Sequence, residues 1–259
     1  MQTAKVIEYI VSWLKGYCDN AGMSGFVVGV SGGIDSAVTS ALCAKTGTPV
    51  MVLNLPIYQA ANQISLAKLH MAWLEKHFPT IQLVNIDLTE AFSSLGKTFP
   101  TDIQDELTMA NTRARLRMLT LYAFSGHHGL LVAGTGNKVE DFGVGFFTKY
   151  GDGGVDVSPI ADLVKSEVYE IGKALGIIEG IINAKPTDGL WNDDRSDEDQ
   201  IGAAYDELEW AMAFDAAAKD ESRLSDRKKE ALSIYRKFYQ ANQHKIDPIP
   251  VAIIPEALR

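Results

Sequence analysis

The stretch Phe26–Ser36, Phe-Val-Val-Gly-Val-Ser-Gly-Gly-Ile-Asp-Ser, constrains the chain more than any other. Phe26 to Val30 is a short apolar run with the β-branched content of a buried strand. It breaks at Ser31-Gly32-Gly33 and resumes at Ile34–Lys45, whose Ala, Leu and Ile content predicts a helix. Strand, glycine turn and helix start together form a nest of backbone N–H groups at the positive end of a helix dipole. Such a nest accepts phosphate or another anion. No Lys-Ser or Lys-Thr follows the glycines, so this is not a Walker loop, and G-x-G-x-x-G is absent. Asp35 stands in the first helical turn instead. An acid beside a phosphate nest is repulsive unless a cation lies between them, which points to Asp35 as a Mg²⁺ ligand bridging loop and polyphosphate. The alternative is an acid that only complements the helix dipole.

The 259 residues are enough for a sizeable core, and 46% hydrophobic with 22% charged is ordinary for a globular chain. No apolar run approaches the roughly 18 residues needed to span a membrane. Lys5, Glu8 and Lys15 interrupt the first helix pattern, which excludes a secretory signal. Cys18 and Cys43 have no metal-ligand spacing, so a reduced, cytoplasmic setting with buried thiols is expected. A net charge of −9 argues against nucleic-acid binding, which favours a basic surplus.

Val6, Ile7, Ile10, Val11 and Leu14 lie on one helical face, to be covered by the core or by a second subunit. Apolar runs at Val50–Leu55, Ile81–Ile86 and Leu130–Ala133 predict three further strands, with helices at 60–77, 88–95 and 105–125 between them. That alternation implies an α/β fold with a parallel, doubly wound sheet. Ligands sit beyond the carboxyl ends of such strands. There, Ser31-Gly32-Gly33 and Gly134-Thr135-Gly136 should face one crevice. The glycine-rich stretch 143–154 reads as a polar loop closing over the site, and Lys165–Leu175 as a helix ending at Gly176. A second loop covers 186–199, where Ser196 and Asp199 make a capping box for a helix running through Trp210. A last helix covers 226–241, followed by a Pro-rich tail. Without repeats or a linker, 1–259 is expected to be a single domain.

Several polar residues stand out. Arg113, Arg115 and Arg117 fan over a wide helical arc, so one can reach an anionic substrate while the others join a solvated face. Glu140 could complete a metal site with Asp35 or be an exposed helix-start acid. Lys149, Asp152 and Asp156 lie in and after the glycine stretch. Lys165 opens a helix, where the dipole disfavours a cation and an anionic partner would explain it. His244-Lys245 alone would be a surface pair. No Ser/His/Asp spacing or activated Cys is evident. A phosphate loop, a metal and a lid favour activation of a substrate by nucleotide through positioning and electrostatics.

Ser31-Gly32-Gly33-Ile34-Asp35-Ser36 resembles the S-G-G-x-D-S signature of the ATP pyrophosphatase superfamily. Arg113–Met118, Gly134-Thr135-Gly136-Asn137 with Glu140, Gly145–Gly154, Lys165, Lys185-Pro186-Thr187 and His244-Lys245 resemble, in order, the NAD synthetase family. The resemblance covers nearly the whole chain. It implies a Rossmann-like fold of the adenine nucleotide α-hydrolase type. It also implies a two-step amidation, in which deamido-NAD is adenylated by ATP and ammonia then displaces AMP to leave NAD. By resemblance, Gly29, Val30, Ser31, Gly32, Gly33, Ile34, Asp35 and Ser36 hold the ATP phosphates, with Thr135, Lys165 and Thr187 as further ATP contacts. Asp35 and Glu140 would hold Mg²⁺. Arg115, Lys149, Asp156, His244 and Lys245 match deamido-NAD contacts, and Asp152 the acid that binds ammonium and accepts its proton. Two departures stand out. Between Glu140 and Phe146 the chain is one residue longer than the family form, and Ile246-Asp247-Pro248 replaces a more basic tail.

Family members are commonly homodimers. Some carry a fused glutamine-hydrolysing domain, whereas only residues 1–25 precede the first predicted strand here, so the expected nitrogen source is free ammonia, or glutamine nitrogen delivered by a separate protein. The competing readings are another enzyme of the superfamily, such as a GMP synthetase core or a tRNA-thiolating enzyme, and a nucleotide-binding module without turnover. The charge and the lack of a Cys pair argue against thiolation, and the acids at 35 and 140 argue against mere binding.

Overall fold

The computed structural model describes residues 1–59, 61–186 and 196–259. In chain order it contains α1 (Thr3–Asn20), β1 (Gly25–Gly29), α2 (Ile34–Lys45), β2 (Val50–Asn54), α3 (Ala61–His77), β3 (Ile81–Asn85), α4 (Thr89–Thr98), α5 (Glu106–His128) and β4 (Leu130–Val132). A π-helical turn (Val139–Val144) follows, then α6 (Lys165–Leu175), α7 (Glu179–Ile182), α8 (Asp197–Ile201), α9 (Tyr205–Ala216) and α10 (Asp226–Ile246). The four strands form one parallel sheet in the order β3-β2-β1-β4. The chain winds from β1 to β3 in one direction and then returns to place β4 on the other side of β1. The order therefore reverses between β1 and β4, and the crevice that opens at such a reversal lies at their carboxyl ends.

The pleat sorts the strands between two cores. Phe26 and Val28 of β1 and Leu131 of β4 face the side covered by α1, α2, α3 and α6. Val27 of β1 with Leu130 and Val132 of β4 face α4 and α5. The expected face of α1 packs on the core: Ile7, Ile10, Leu14 and Cys18 are buried, while Tyr9, Trp13 and Tyr17 stay exposed. A third apolar cluster joins the π turn, α9 and α10 through Val139, Val144, Leu208, Leu232 and Tyr235.

Two sequence expectations change. Ser196 does accept from the Asp199 N–H and Asp199 reaches back to Ser196, but the helix they open is α8, which stops at Gly202 in a left-handed conformation (φ 86°). The helix through Trp210 is α9, which begins separately at Tyr205. The glycine-rich stretch is also packed more closely than an open lid. A β-carbon at Gly145 would lie 2.4 Å from Asn242 Cβ, and one at Gly153 2.4 Å from Phe147 Cδ2. These glycines permit close approach of α10 and of the turn itself.

His70, on α3, is buried against α2, where its Nε2 lies 2.9 Å from Ser40 Oγ. Burial pushes the imidazole pKa down from 6.5 to about 4. A depressed folded-state pKa makes a contribution that is complete above about 6.5 and is lost as pH falls towards about 4, because only the unfolded chain takes up the proton. Between pH 7 and pH 5 that loss is about 2 kcal/mol. Urea unfolding at the two pH values should show a drop smaller by about that amount in His70→Gln. An identical drop in both proteins would contradict the buried neutral imidazole.

Candidate active site

The loop after β1 leaves its helix start open. Val30 N–H still donates to the Leu53 carbonyl, closing the strand, and Gly32 turns the chain at φ 89°. Ser36 Oγ accepts from Ser31 N–H, and Ser31 Oγ accepts from Gly33 N–H, so the loop braces itself. Gly33 is the N-cap of α2 and supplies no side-chain cap. The first N–H groups of α2 thus face the crevice at the positive end of the helix, the arrangement that takes an anion.

Asp35 then points to the partner turn after β4. Its Oδ1 accepts from Asn137 Nδ2 at 3.0 Å and its Oδ2 from Lys165 Nζ at 2.6 Å. The same ammonium donates to Glu140 Oε1 at 3.0 Å. Sequence positions 35, 140 and 165, expected as metal and ATP residues, are therefore one ion cluster. Lys165 is 4% exposed, Asp35 17% and Glu140 16%. Burial alone would lower the Lys165 pKa, but Asp35 and then Glu140 outweigh it and raise it, so the ammonium stays charged. Burial raises Asp35, with Glu140 adding to the effect. Glu140 is desolvated as well, yet Lys165, Tyr205 and Asn137 together hold it below its ordinary range. Close packing of α2 and α6 sets this meeting: a β-carbon at Gly172 would lie 2.7 Å from Ile34 Cδ1.

The residues expected around the second substrate divide into two groups. Arg115 Nε donates to the Lys149 carbonyl, Lys149 Nζ to the His244 carbonyl and Lys245 Nζ to the Phe147 carbonyl. Lys149, His244 and Lys245 thus stitch the glycine stretch to the C-terminal turn of α10, where cations also suit the helix dipole, and Arg115 ties the same stretch to α5. Asp156 is elsewhere. It accepts from Tyr122 Oη and from Val132 N–H on the outer edge of β4. It opens into a groove of about 490 Å³ with Trp13, Tyr17, Lys138 and Phe142. Asp152 accepts from Thr148 N–H. The residue is exposed at its turn, yet the loop crowding its carboxyl group desolvates it and pushes its pKa upward. Thr135 lies in the turn after β4. Thr187 lies outside the described residues, as do 187–195 of the Asp-rich stretch. Arg113 and Arg117 are only partly exposed: Arg113 stacks over Phe92, and Arg117 donates to the Leu55 carbonyl.

Residues Val139–Val144, which include Glu140, form a π-helical turn. Such single π turns inside helical segments are frequent at functional sites. Within that turn Asp141 packs over Gly136, where a β-carbon would lie 2.1 Å from its Oδ2. Burial, then Glu140, Asp152 and Asp35, push the Asp141 carboxyl well above its usual range.

Among the described residues, no group of three or more His, Cys, Asp or Glu side chains is placed to hold a metal. Two carboxylates, Asp35 and Glu140, converge on one cation, the Lys165 ammonium. A pair of carboxylates fits Mg²⁺, which takes one or two of them and completes its shell with phosphate oxygens and water.

A family model described as NAD synthase matches residues 6–249. The chain belongs to the NAD synthase family. The NH(3)-dependent NAD(+) synthetase of Finegoldia magna is 36% identical over 92% of this chain and 95% of its own length. Among solved structures, the NMN synthetase of Francisella tularensis is 31% identical, with a TM-score of 0.84 and 99% of both chains covered. The NH3-dependent NAD synthetase of Campylobacter jejuni shares the fold at 24% identity and a TM-score of 0.79, covering 98% of this chain.

Asn137, marked in sequence only as part of the Gly134–Asn137 motif, and Tyr205 and Asp197 join this NAD synthase cluster without a role expected from sequence. Asn137 is fully buried, and its Oδ1 accepts from the N–H groups of Val139 and Glu140 while its Nδ2 holds Asp35. An Asn after Gly-Thr-Gly reads as turn chemistry, which it also performs. Tyr205 donates to Glu140 from 65 residues away, and Asp197 lies 3.3 Å behind its hydroxyl; no local pattern marks either.

Replacing Lys165 by Met would leave two buried carboxylates facing each other without a counter-charge. Removing one partner of a buried ion pair costs about 3–5 kcal/mol. Urea unfolding at neutral pH should show a loss of that order, narrowing as pH falls, since protonating either acid relieves the repulsion. A loss under about 1 kcal/mol, the level of an exposed pair, would mean that the ammonium does not hold the cluster together.

Proposed function

We propose that this chain amidates deamido-NAD with ammonia, consuming ATP and releasing AMP, pyrophosphate and NAD. The observation that carries the reading is the open start of α2 beside the buried cluster of Asp35, Glu140 and Lys165, in a member of the NAD synthase family. In the first step a nicotinate carboxylate oxygen attacks the α-phosphorus and the pyrophosphate oxygen leaves. In the second, the ammonia nitrogen attacks the acyl carbon and the AMP oxygen leaves.

The loop from Gly29 to Ser36 offers N–H donors to the phosphates. Lys165 supplies positive charge, and Thr135 and Thr187 are further ATP contacts. Asp35 and Glu140 would hold Mg²⁺, which when bound offsets phosphate charge. Asp152 is suited to attract ammonium and to take its proton, because a carboxylate whose pKa is raised by the loop around it is a stronger base than an ordinary one. Arg115 from α5, Lys149 from the glycine stretch and His244 and Lys245 from α10 face the anionic substrate, and Asp156 from the aromatic groove. The exposed Tyr9, Trp13 and Tyr17 on α1 beside that groove favour a homodimer in which this face is shared. Two unpaired, buried thiols favour a cytoplasmic setting.

One neighbour carries a second reading. The Francisella protein is an NMN synthetase and matches this chain end to end, so nicotinate mononucleotide is the competing acceptor. Both acceptors present the same pyridine carboxylate to ATP and differ only in the adenylate half.

Incubating the protein with ATP, Mg²⁺, ammonium and each acceptor in turn should yield AMP with the amidated product, at a higher kcat/KM for deamido-NAD. A higher value for the mononucleotide would favour the second reading. AMP formed only with xanthosine monophosphate would overturn both. Glutamine in place of ammonium should nearly abolish turnover, and equal rates would sink the ammonia-dependent reading.

A further inference from the structure

Tyr205 occupies a position that packing alone does not explain. Its ring belongs to the apolar cluster of Val139, Leu208 and Leu232, where Phe would serve as well. Its hydroxyl leaves that cluster and donates to Glu140 Oε1 at 2.5 Å, the same oxygen that Lys165 reaches at 3.0 Å. A donor to a carboxylate at this distance is a strong, charge-assisted bond. The ring itself lies 4.7 Å from the Lys165 ammonium, a cation–π contact. One buried side chain therefore touches both the acid and the cation of the cluster, and it does so from the first residue of α9.

Both of these short contacts fall on Oε1. Two donors fixed on Oε1 make Oε2 the oxygen to offer a cation, beside the Asn137 contact to the same carboxylate. We infer that Tyr205 is a positioning residue that fixes Glu140 so that Oε2 is presented to the divalent cation. This rests on reading Glu140 as a metal ligand. The tyrosine matters most once nucleotide is bound. Lys165 then has phosphate oxygens to neutralise, and its hold on Glu140 weakens, whereas the Tyr205 hydroxyl has no such competitor. Its other acceptor, Asp197 Oδ2, is more distant at 3.3 Å. Groups that orient a metal ligand from behind typically change metal affinity by about 10–100-fold when removed.

The test is titration of the full-length protein with Mn²⁺ in the presence of a non-hydrolysable ATP analogue, followed by electron paramagnetic resonance. Tyr205→Phe should weaken Mn²⁺ binding by about tenfold while leaving the KM for ammonium within twofold. Leu208→Val, a truncation in the same apolar cluster that keeps the hydroxyl, should leave Mn²⁺ affinity within twofold. A change below threefold in Tyr205→Phe, or an equal loss in Leu208→Val, overturns the inference. Glu140→Gln separates it from the reading beneath. If Glu140→Gln weakens Mn²⁺ and Tyr205→Phe does not, only the role of Tyr205 fails. If Glu140→Gln has no effect, the metal reading of Glu140 fails and the inference falls with it. In the double variant, no loss beyond that of Glu140→Gln is expected. Additive losses would show that Tyr205 acts elsewhere.

Discussion

A single buried ammonium ties the crevice together. Lys165 opens α6, Asp35 opens α2 and Glu140 lies in the π turn after β4, so three separate elements meet on one charge. Burying an unpaired cation or carboxylate is prohibitive, and burying a pair is close to break-even. The cluster survives because each acid has further donors: Asn137 on Asp35 and Tyr205 on Glu140. Two carboxylates against one ammonium leave a surplus negative charge. That surplus is a poor choice for stability and matches the proposed binding of a second cation with nucleotide. It also accounts for the position of Lys165, which the dipole of α6 disfavours and the facing acids reverse.

The apolar framework serves the same meeting point. α6 approaches α2 closely because Gly172 offers no side chain to Ile34 and Val38. Tyr205 is anchored by the third core, so the distance between its hydroxyl and Glu140 is set by packing of α9 and α10 against the π turn. Interiors at crystal-like density transmit such positions rigidly. The π turn belongs to this framework. It carries Glu140 between β4 and the Phe146–Gly154 stretch, packed against α9 and α10.

Much of this was legible in the residues. Period and turn chemistry marked β1, the Ser-Gly-Gly turn and α2, because those elements obey local rules that one strand and one helix satisfy by themselves. Asp35 and Lys165 announced themselves by standing where local electrostatics disfavour or under-explain them. Tyr205 and Asn137 did not, for opposite reasons. Asn137 has a sufficient local role as a turn residue, which hides its long-range bond to Asp35. Tyr205 has no local polar role at all, and only the packing of α9 brings its hydroxyl to Glu140. The glycines of 143–154 misled in a third way. Composition cannot distinguish a glycine that gives freedom from one that gives close contact, and at Gly145 and Gly153 it is the contact that rules.

The same distinction governs the basic residues around the glycine stretch. Lys149 and Lys245 each hold a carbonyl of the other's segment, so neither cation waits idle in the described chain. An anionic substrate reaching them must replace a carbonyl by a phosphate or carboxylate oxygen, a trade in which a neutral hydrogen bond gives way to a stronger charged one. Burial lowers the pKa of Lys245, although Asp152 opposes it, so its ammonium is the more readily stabilised by an incoming anion. Asp152 lies within the electrostatic reach of that lysine and takes its backbone donor from Thr148. Displacement of Lys245 from the Phe147 carbonyl by an anion would therefore act on the very turn that holds Asp152.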